Sequence, residues 1–351
     1  SFGLNAGAEN EPVILSTILE HSSNDLPWRD VKGSSVIRLS VDKEGFWDLN
    51  ELESILASYN TKNEFGRKRI KLVAVSGASN VLGSCNNLTE TSKVVHKYGA
   101  FLFVDAAQLA AHREINMKKC DIDFLALSGH KIYAPFGCGV LAVKKGYLNF
   151  NDKEMEIITA SGEENAAGIA ALGKALLLLK QIGFDVIKEE EQVLTRKALQ
   201  GLIQIPGIKI FGIQNPDSEK IIDKTGVIGF EIQNMMPGGI AKKLSYNNGV
   251  GVRYGCHCAH LIVKHQLNFT PFLENFQKFL LKVVPILKLQ GFVRVSFGIE
   301  NTAEDVETFL IELNKIAKKG KPDSADLKKA EVKKQIDQFT ENISARIYAT
   351  E

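Results

Sequence analysis

Four short apolar runs follow one another in the first half of the chain: KLVAV at 71–75, AFLFV at 100–104, FLAL at 124–127 and GVLAV at 139–143. An amphipathic stretch, 89–98, has helical spacing and lies between the first two. Strands that alternate with helices predict a parallel sheet with helices on both faces. In such a sheet ligands gather beyond the carboxyl ends of the strands. With the apolar run at 12–15 included, His21, Asn80, Asp105, Gln108, Ser128, His130 and Lys131 all fall just past the ends of predicted strands. So many polar residues at one edge mark that edge as the place to look for chemistry.

The remaining pattern extends this α/β reading. Residues 36–41 alternate like a strand, and 50–59 carry Leu52, Ile55 and Leu56 at helical spacing. A long apolar helix is expected over 169–182, a plausible bridge to a second unit, and another helix over 186–203. Strands at 208–211, 226–232 and 293–297 predict a smaller C-terminal α/β domain. Thr302 opens a further helix with Val306, Phe309, Leu310 and Leu313 on one face. The expected organisation is a large domain over 1–168, a linking helix with a small domain over 169–320, and a helical extension over 321–351. The tail is Lys-rich, is expected to be helical over 326–347, and is assigned no chemistry. The 351 residues suffice for two domains, and 44% hydrophobic content excludes a disordered or collagen-like chain. A net charge of +2 gives no reason to expect a nucleic-acid or membrane partner. No apolar run is long enough for a bilayer, and five cysteines without a regular framework fit a reducing, cytoplasmic setting.

Ser128-Gly129-His130-Lys131 is the sharpest segment. A lysine at the end of a buried strand is partly desolvated, which disfavours its ammonium and suits a Schiff-base amine. Read alone, Lys131 could equally be a solvated surface lysine, and Asp105 an N-cap for the helix after it. Together they suggest more. A carboxylate after five apolar residues needs a cation, and a carboxylate facing a pyridinium near a Schiff-base lysine is what pyridoxal phosphate requires. His21 could then stack on the ring, with Asn80 and Gln108 donating to its phenolic oxygen. The second dense segment is Arg253-Tyr254-Gly255-Cys256-His257-Cys258-Ala259-His260. Its Cys-x-Cys spacing is tighter than that of structural zinc and no second pair follows, so no metal is expected. A nucleophilic thiolate, its pKa lowered by Arg253 and the neighbouring histidines, is preferred over buried structural cysteines. Cys85, Cys120 and Cys138 lack such neighbours and are expected to be inert.

Taken together, these motifs resemble the class V aminotransferase branch of fold-type I pyridoxal-phosphate enzymes, specifically SufS-like cysteine desulfurases and selenocysteine lyases. The likeness covers roughly residues 12–318. It rests on Glu20-His21 with Asn24 and Pro27-Trp28, on Ser79-Asn80-Val81-Leu82-Gly83, on Val104-Asp105-Ala106-Ala107-Gln108, on Ser128-Gly129-His130-Lys131, on Arg253 to Ala259, and on Arg294-Val295-Ser296. The resemblance implies a large domain with a mostly parallel central sheet plus a small C-terminal α/β domain, and a homodimer. It implies that Lys131 carries the cofactor and moves the Cα proton. Asp105 would hold the pyridinium, His21 would stack on the ring, Asn80 and Gln108 would tune it, and Ser128 and His130 would grip the phosphate. Arg294, with Asn80 and Arg253, would bind the substrate. Cys258 would take sulfur from L-cysteine, or selenium from selenocysteine, for a protein or thiol acceptor, leaving alanine.

Three departures from the family pattern stand out. The family's phosphate-cup segment lies upstream of the His motif, yet only twenty residues precede His21. The chain is therefore expected to be part of a longer gene product. Ser161-Gly162-Glu163-Glu164-Asn165 replaces a Gly-Thr-Pro-Asn pattern that reaches the partner subunit's phosphate, and an acid there would repel phosphate. Ser22 and Cys256 stand where histidine or a neutral polar residue is common, which bears on substrate preference. The rivals are another class V enzyme (an aminotransferase, epimerase or C–S lyase with Cys258 idle) and a cofactor-free remnant acting as a binding protein.

Overall fold

The first sheet has the order β2-β1-β3-β4-β5-β6 in a computed structural model that describes residues 10–160, 164–268 and 291–319. Its strands are β1 (Glu11–Thr17), β2 (Ser35–Leu39), β3 (Lys68–Ser76), β4 (Phe101–Asp105), β5 (Phe124–Ser128) and β6 (Gly139–Val143). The first five run parallel, with Ile14 opposite Leu72, Val73 opposite Leu102 and Val104 opposite Leu125. The near-continuous apolar strands are what a sheet buried on both faces requires. β6 runs antiparallel to β5, because the link from Ser128 to Gly139 is too short for a helical crossover. The tail helix expected over 326–347, and Ser161, Gly162 and Glu163, lie outside the described residues.

Helices α1 (Leu49–Asn60) and α2 (Leu88–Lys97) cover one face. Each is capped as its sequence prescribes: Asp48 accepts from the Asn50 amide and Asn87 from that of Glu90. Leu52, Leu56 and Val95 pack on Val13, Leu15, Val73, Val75, Leu102, Val104 and Leu125 in one core. The opposite face carries a smaller cluster of Ile14, Leu72, Ala74 and Phe124.

After α3 (Asp152–Thr159), α4 (Ala166–Ile182) and α5 (Phe184–Leu202) lead into a second sheet. Its strands are β7 (Ile208–Phe211), β8 (Val227–Ile232), β9 (Arg253–Gly255) and β10 (Phe292–Ser296) in the order β7-β8-β10-β9, all antiparallel. α6 (Pro237–Asn248) and α7 (Ala303–Lys319) pack on it with α5 through Leu199, Ile240, Leu244, Phe309 and Leu313. Among the described residues no single helix is long and apolar enough to cross a membrane. The bent α4–α5 pair meets that test only by length and composition.

The two sheets meet along a polar seam. The Thr225 and Cys85 amides donate to the Gly83 and Asp223 carbonyls at 2.8 Å each. Fully buried Lys224 donates to the carbonyls of Leu82 and Val227. Burial lowers its pKa to about 8. Arg113 joins Glu191 of α5 at 2.7 Å and the Lys224 carbonyl at 2.7 Å. This seam holds the turn that carries Asn80.

Candidate active site

Because β1, β3, β4 and β5 run parallel, their carboxyl ends share an edge, and the residues predicted there do gather on it. Past β1 the chain is fixed by Glu20, whose buried carboxylate accepts from Thr17 Oγ1 at 2.6 Å, Asn24 Nδ2 at 2.6 Å and Ser76 Oγ at 2.6 Å. It also accepts from the Ser76 amide at 3.1 Å. Burial outweighs these four donors and raises its pKa to about 7. This cluster sets the direction of the next residue, His21. The His21 Nδ1 accepts from the Ser23 amide at 3.2 Å and lies 2.8 Å from Ser23 Oγ. Burial lowers the imidazole pKa, Asp105 raises it and Lys131 lowers it, so all three groups lie within electrostatic reach.

Past β4, the Asp105 carboxylate accepts from the Ala107 amide at 2.9 Å. It thus caps a tight turn rather than a helix. Burial raises its pKa, opposed by the Ala107 N–H, His21 and Lys131. A desolvated carboxylate without a contacting cation among the described residues fits a pyridinium nitrogen. Past β5, Gly129 is required by space rather than by a left-handed backbone: a Cβ there would lie 2.6 Å from the Cys138 carbonyl oxygen. Lys131 Nζ sits 3.4 Å from Gln108 Oε1. Burial lowers its pKa, followed by Arg294; Asp105 pulls it up, Arg253 down and Cys258 up. Ser128 Oγ and His130 Nδ1 bond each other at 2.8 Å.

The second sheet supplies the opposite wall. Arg294 on β10 stands directly across from Arg253 on β9. Like charges opposite one another in a sheet are unfavourable unless an anion joins them. Arg294 Nη1 donates to the Asn80 carbonyl at 2.8 Å, while its buried Nε has no partner among the described residues. A carboxylate is the ligand such a fork accepts. After β9 comes the cysteine turn. Asn80 Nδ2 donates to the His257 carbonyl at 2.9 Å, so Asn80 holds this turn. The Ser22 amide and Oγ donate to the Cys258 carbonyl at 2.7 and 2.9 Å. Cys258 is exposed and Cys256 half-buried.

One electrostatic expectation is corrected. Burial, then Arg294, lower the His257 pKa to about 4, so this ring is neutral and cannot favour a thiolate. Burial also raises the Cys256 pKa. Cys85 is raised to about 12 by burial, in line with its expected inertness.

Sequence reasoning missed the residues behind Gln108. Its Nε2 meets His112 Nε2 at 3.1 Å, and His112 Nδ1 meets Glu191 at 2.6 Å. The signal was present: Glu191 is a charge on the apolar stripe of α5, with Ile187 and Leu194 as neighbours of its face. Ser22 stands out in the sequence only for its residue type, and nothing local announces that it reaches a residue so distant in sequence.

The mostly parallel sheet and the smaller antiparallel domain are the fold of fold-type I pyridoxal-phosphate enzymes. A family profile described as aminotransferase class-V matches residues 3–309, and the chain belongs to that family. It is 31% identical to a probable cysteine desulfurase of Pyrococcus abyssi, over 87% of this chain and 72% of that protein. A probable cysteine desulfurase of Halalkalibacterium halodurans is 29% identical, over 90% of this chain and 73% of its own length. The apo structure of cysteine desulfurase from Thermococcus onnurineus NA1 superposes with a TM-score of 0.73 at 27% identity, covering 90% of this chain and 75% of that one.

Proposed function

We propose that this protein is a pyridoxal-phosphate-dependent cysteine desulfurase that takes sulfur from L-cysteine, leaving alanine and a Cys258 persulfide for a protein or thiol acceptor. The observation that carries the reading is the exposed Cys258 thiol, on a turn tied to both sheets and within electrostatic reach of Lys131. The residues present fit the cofactor: a desolvated Asp105 carboxylate for the ring nitrogen, Lys131 for its aldehyde and His21 beside them. Gln108 is the amide within reach of Lys131, and Ser128 and His130 are the polar pair at the end of β5. When bound, pyridoxal phosphate withdraws electrons from the substrate's Cα.

The remaining roles belong to this chain's own side chains. Arg294, with Arg253 and Asn80 beside it, orients the substrate carboxylate. Lys131, whose pKa is lowered by burial and by Arg294, is the base that takes the proton from the substrate Cα. Cys258 Sγ bonds to the substrate sulfur, whose bond to carbon breaks; carbon is protonated and alanine leaves. The relatives favour this reaction over an aminotransferase, an epimerase or a C–S lyase, in which Cys258 would be idle. Retention of Lys131, Asp105 and Arg294 argues against a cofactor-free binding protein. Selenocysteine is the nearest alternative substrate.

The deciding experiment measures alanine from L-cysteine with a thiol acceptor. Wild type is expected to turn over, and Cys258→Ala to lose alanine formation by at least about a hundredfold. Undiminished alanine in that variant, or a transaminated product, would overturn the reading. A homodimer is part of the proposal, supported by Ile169, Leu176, Leu177 and Leu178 exposed along α4. So is a cytoplasmic setting, supported by five cysteines without a regular disulfide framework.

A further inference from the structure

The turn that carries Cys258 carries a second thiol, and the backbone keeps the two together. The Ala259 amide donates to the Cys256 carbonyl at 2.9 Å, closing a four-residue turn. Its central residues, His257 and Cys258, have φ of 52° and 54°. Positive φ at both central positions is the arrangement of a type I′ turn. Two trans-peptide links of about 3.8 Å folded that tightly bring the first and third Cα atoms to about 5–6 Å, inside the span a disulfide bridges. Neither cysteine is in a disulfide, and one is exposed while the other is half-buried.

The turn is also held from outside. Ser22 binds the Cys258 carbonyl, Asn80 binds the His257 carbonyl at 2.9 Å, and His257 Nε2 meets the Phe292 carbonyl at 3.2 Å. The glycines before it, Gly249, Gly251 and Gly255, suggest a mobile loop, yet the turn itself is anchored to both sheets. A sulfur atom gained by Cys258 therefore stays within reach of Cys256, while a partner protein must come to the turn to collect it.

We propose, resting on the desulfurase reading above, that Cys256 is a resolving thiol that discharges the Cys258 persulfide as hydrosulfide and ends in a Cys256–Cys258 disulfide. The Cys256 sulfur attacks Cys258 Sγ, the inner sulfur of the persulfide. The Sγ–Sγ bond forms, the bond to the outer sulfur breaks, and that sulfur leaves with the electron pair. The proton of Cys256 is matched by the proton gained in HS⁻. The Cys256 sulfur is oxidised and the outer sulfur is reduced to sulfide, so no external oxidant is needed. A thiol reductant must then reopen the disulfide before the next turnover. Burial raises the Cys256 pKa, with Lys264 opposing and Cys258 adding to it, while Cys258 is the more exposed of the two thiols.

The test uses cofactor-loaded protein in excess over L-cysteine, without added thiol. Alanine and sulfide are measured, and the cysteine-turn peptide is alkylated and weighed. Wild type is expected to release sulfide and alanine in equal amounts and to yield an unalkylated peptide two hydrogens lighter. Cys256→Ser, with Cys256→Ala as a second variant, is expected to make the same alanine but at least about tenfold less sulfide, with the persulfide remaining on Cys258. Persulfide on Cys258 of wild type to the same extent as in the variants, or persulfide on Cys256, would overturn the proposal. A second arm treats cofactor-free protein with inorganic polysulfide, which persulfidates Cys258 without enzyme chemistry. The same disulfide is expected in wild type alone, and its absence there also refutes the resolving role. Loss of alanine in the first arm sinks the desulfurase reading instead, so the two failures are told apart.

Discussion

On the proposed reading, burial and then the charges around it tune Lys131, and the charges can be altered one at a time. Removing a cation raises its pKa; removing an anion lowers it. Arg294→Gln is expected to move the pH midpoint for pyridoxal-phosphate capture by the cofactor-free protein upward, and Arg253→Gln to do so less. Asp105→Asn is expected to move it downward while losing most turnover, since a neutral partner stabilises a protonated ring less. Borohydride trapping followed by peptide mapping reads all three. Label on a lysine other than Lys131 would refute its assignment. Asp105 and Lys131 were legible in the sequence because each lies at the end of an apolar strand, whereas the role of Arg294, inside β10, was implied only by the family resemblance. The neutral state of His257 was not legible, because it depends on burial and on Arg294, a residue on another strand.

At the scale of the element, the segment after β1 depends on one buried acid. Glu20 is raised from 4.5 to about 7 by burial. The folded state therefore holds a proton that the unfolded chain releases near 4.5. The stability from this group is full below that pH and is lost as pH rises through about 7. Urea unfolding is expected to show stability falling across this window, and Glu20→Gln to flatten the slope. Glu20→Ala is expected to cost about 2–4 kcal/mol at acidic pH, because the Ser76 amide and Asn24 lose their acceptor. An unchanged slope in Glu20→Gln would show that another group titrates. Most strands and helices were readable to within a few residues, since continuous apolar runs and capping residues are local signals, but α3, α6 and β9 were not read. The reversed direction of β6 was not read, although the short link from Ser128 to Gly139 that imposes it is visible in the sequence.

For the molecule as a whole, the seam between the sheets is the feature that sequence could not disclose, since Gly83 and Thr225 meet only in three dimensions. Gly83 has φ 75°, and a Cβ there would lie 2.9 Å from the Val227 carbonyl oxygen and 3.0 Å from that of Thr225. Gly66 has a similar φ of 64° with nothing within 4 Å. Gly66→Ala is therefore expected to cost only the backbone strain of about 1–2 kcal/mol, and Gly83→Ala about 1–3 kcal/mol more. Denaturant unfolding of the two variants isolates the seam; equal losses would mean that the sheets yield to the added methyl group.

The hydrogen bond from Arg294 to the Asn80 carbonyl has a stereochemical consequence. One sheet contributes the guanidinium, steadied by the other sheet; the first sheet contributes Lys131; and the cysteine turn is tied to both. On the proposed reading, a bound amino acid meets three anchors, at its carboxylate, its Cα hydrogen and its sulfur. A tetrahedral carbon can match three fixed points in only one handedness. The D-enantiomer, once its carboxylate is seated, can offer either its hydrogen to Lys131 or its sulfur to Cys258, but never both, and so is rejected without a dedicated steric barrier.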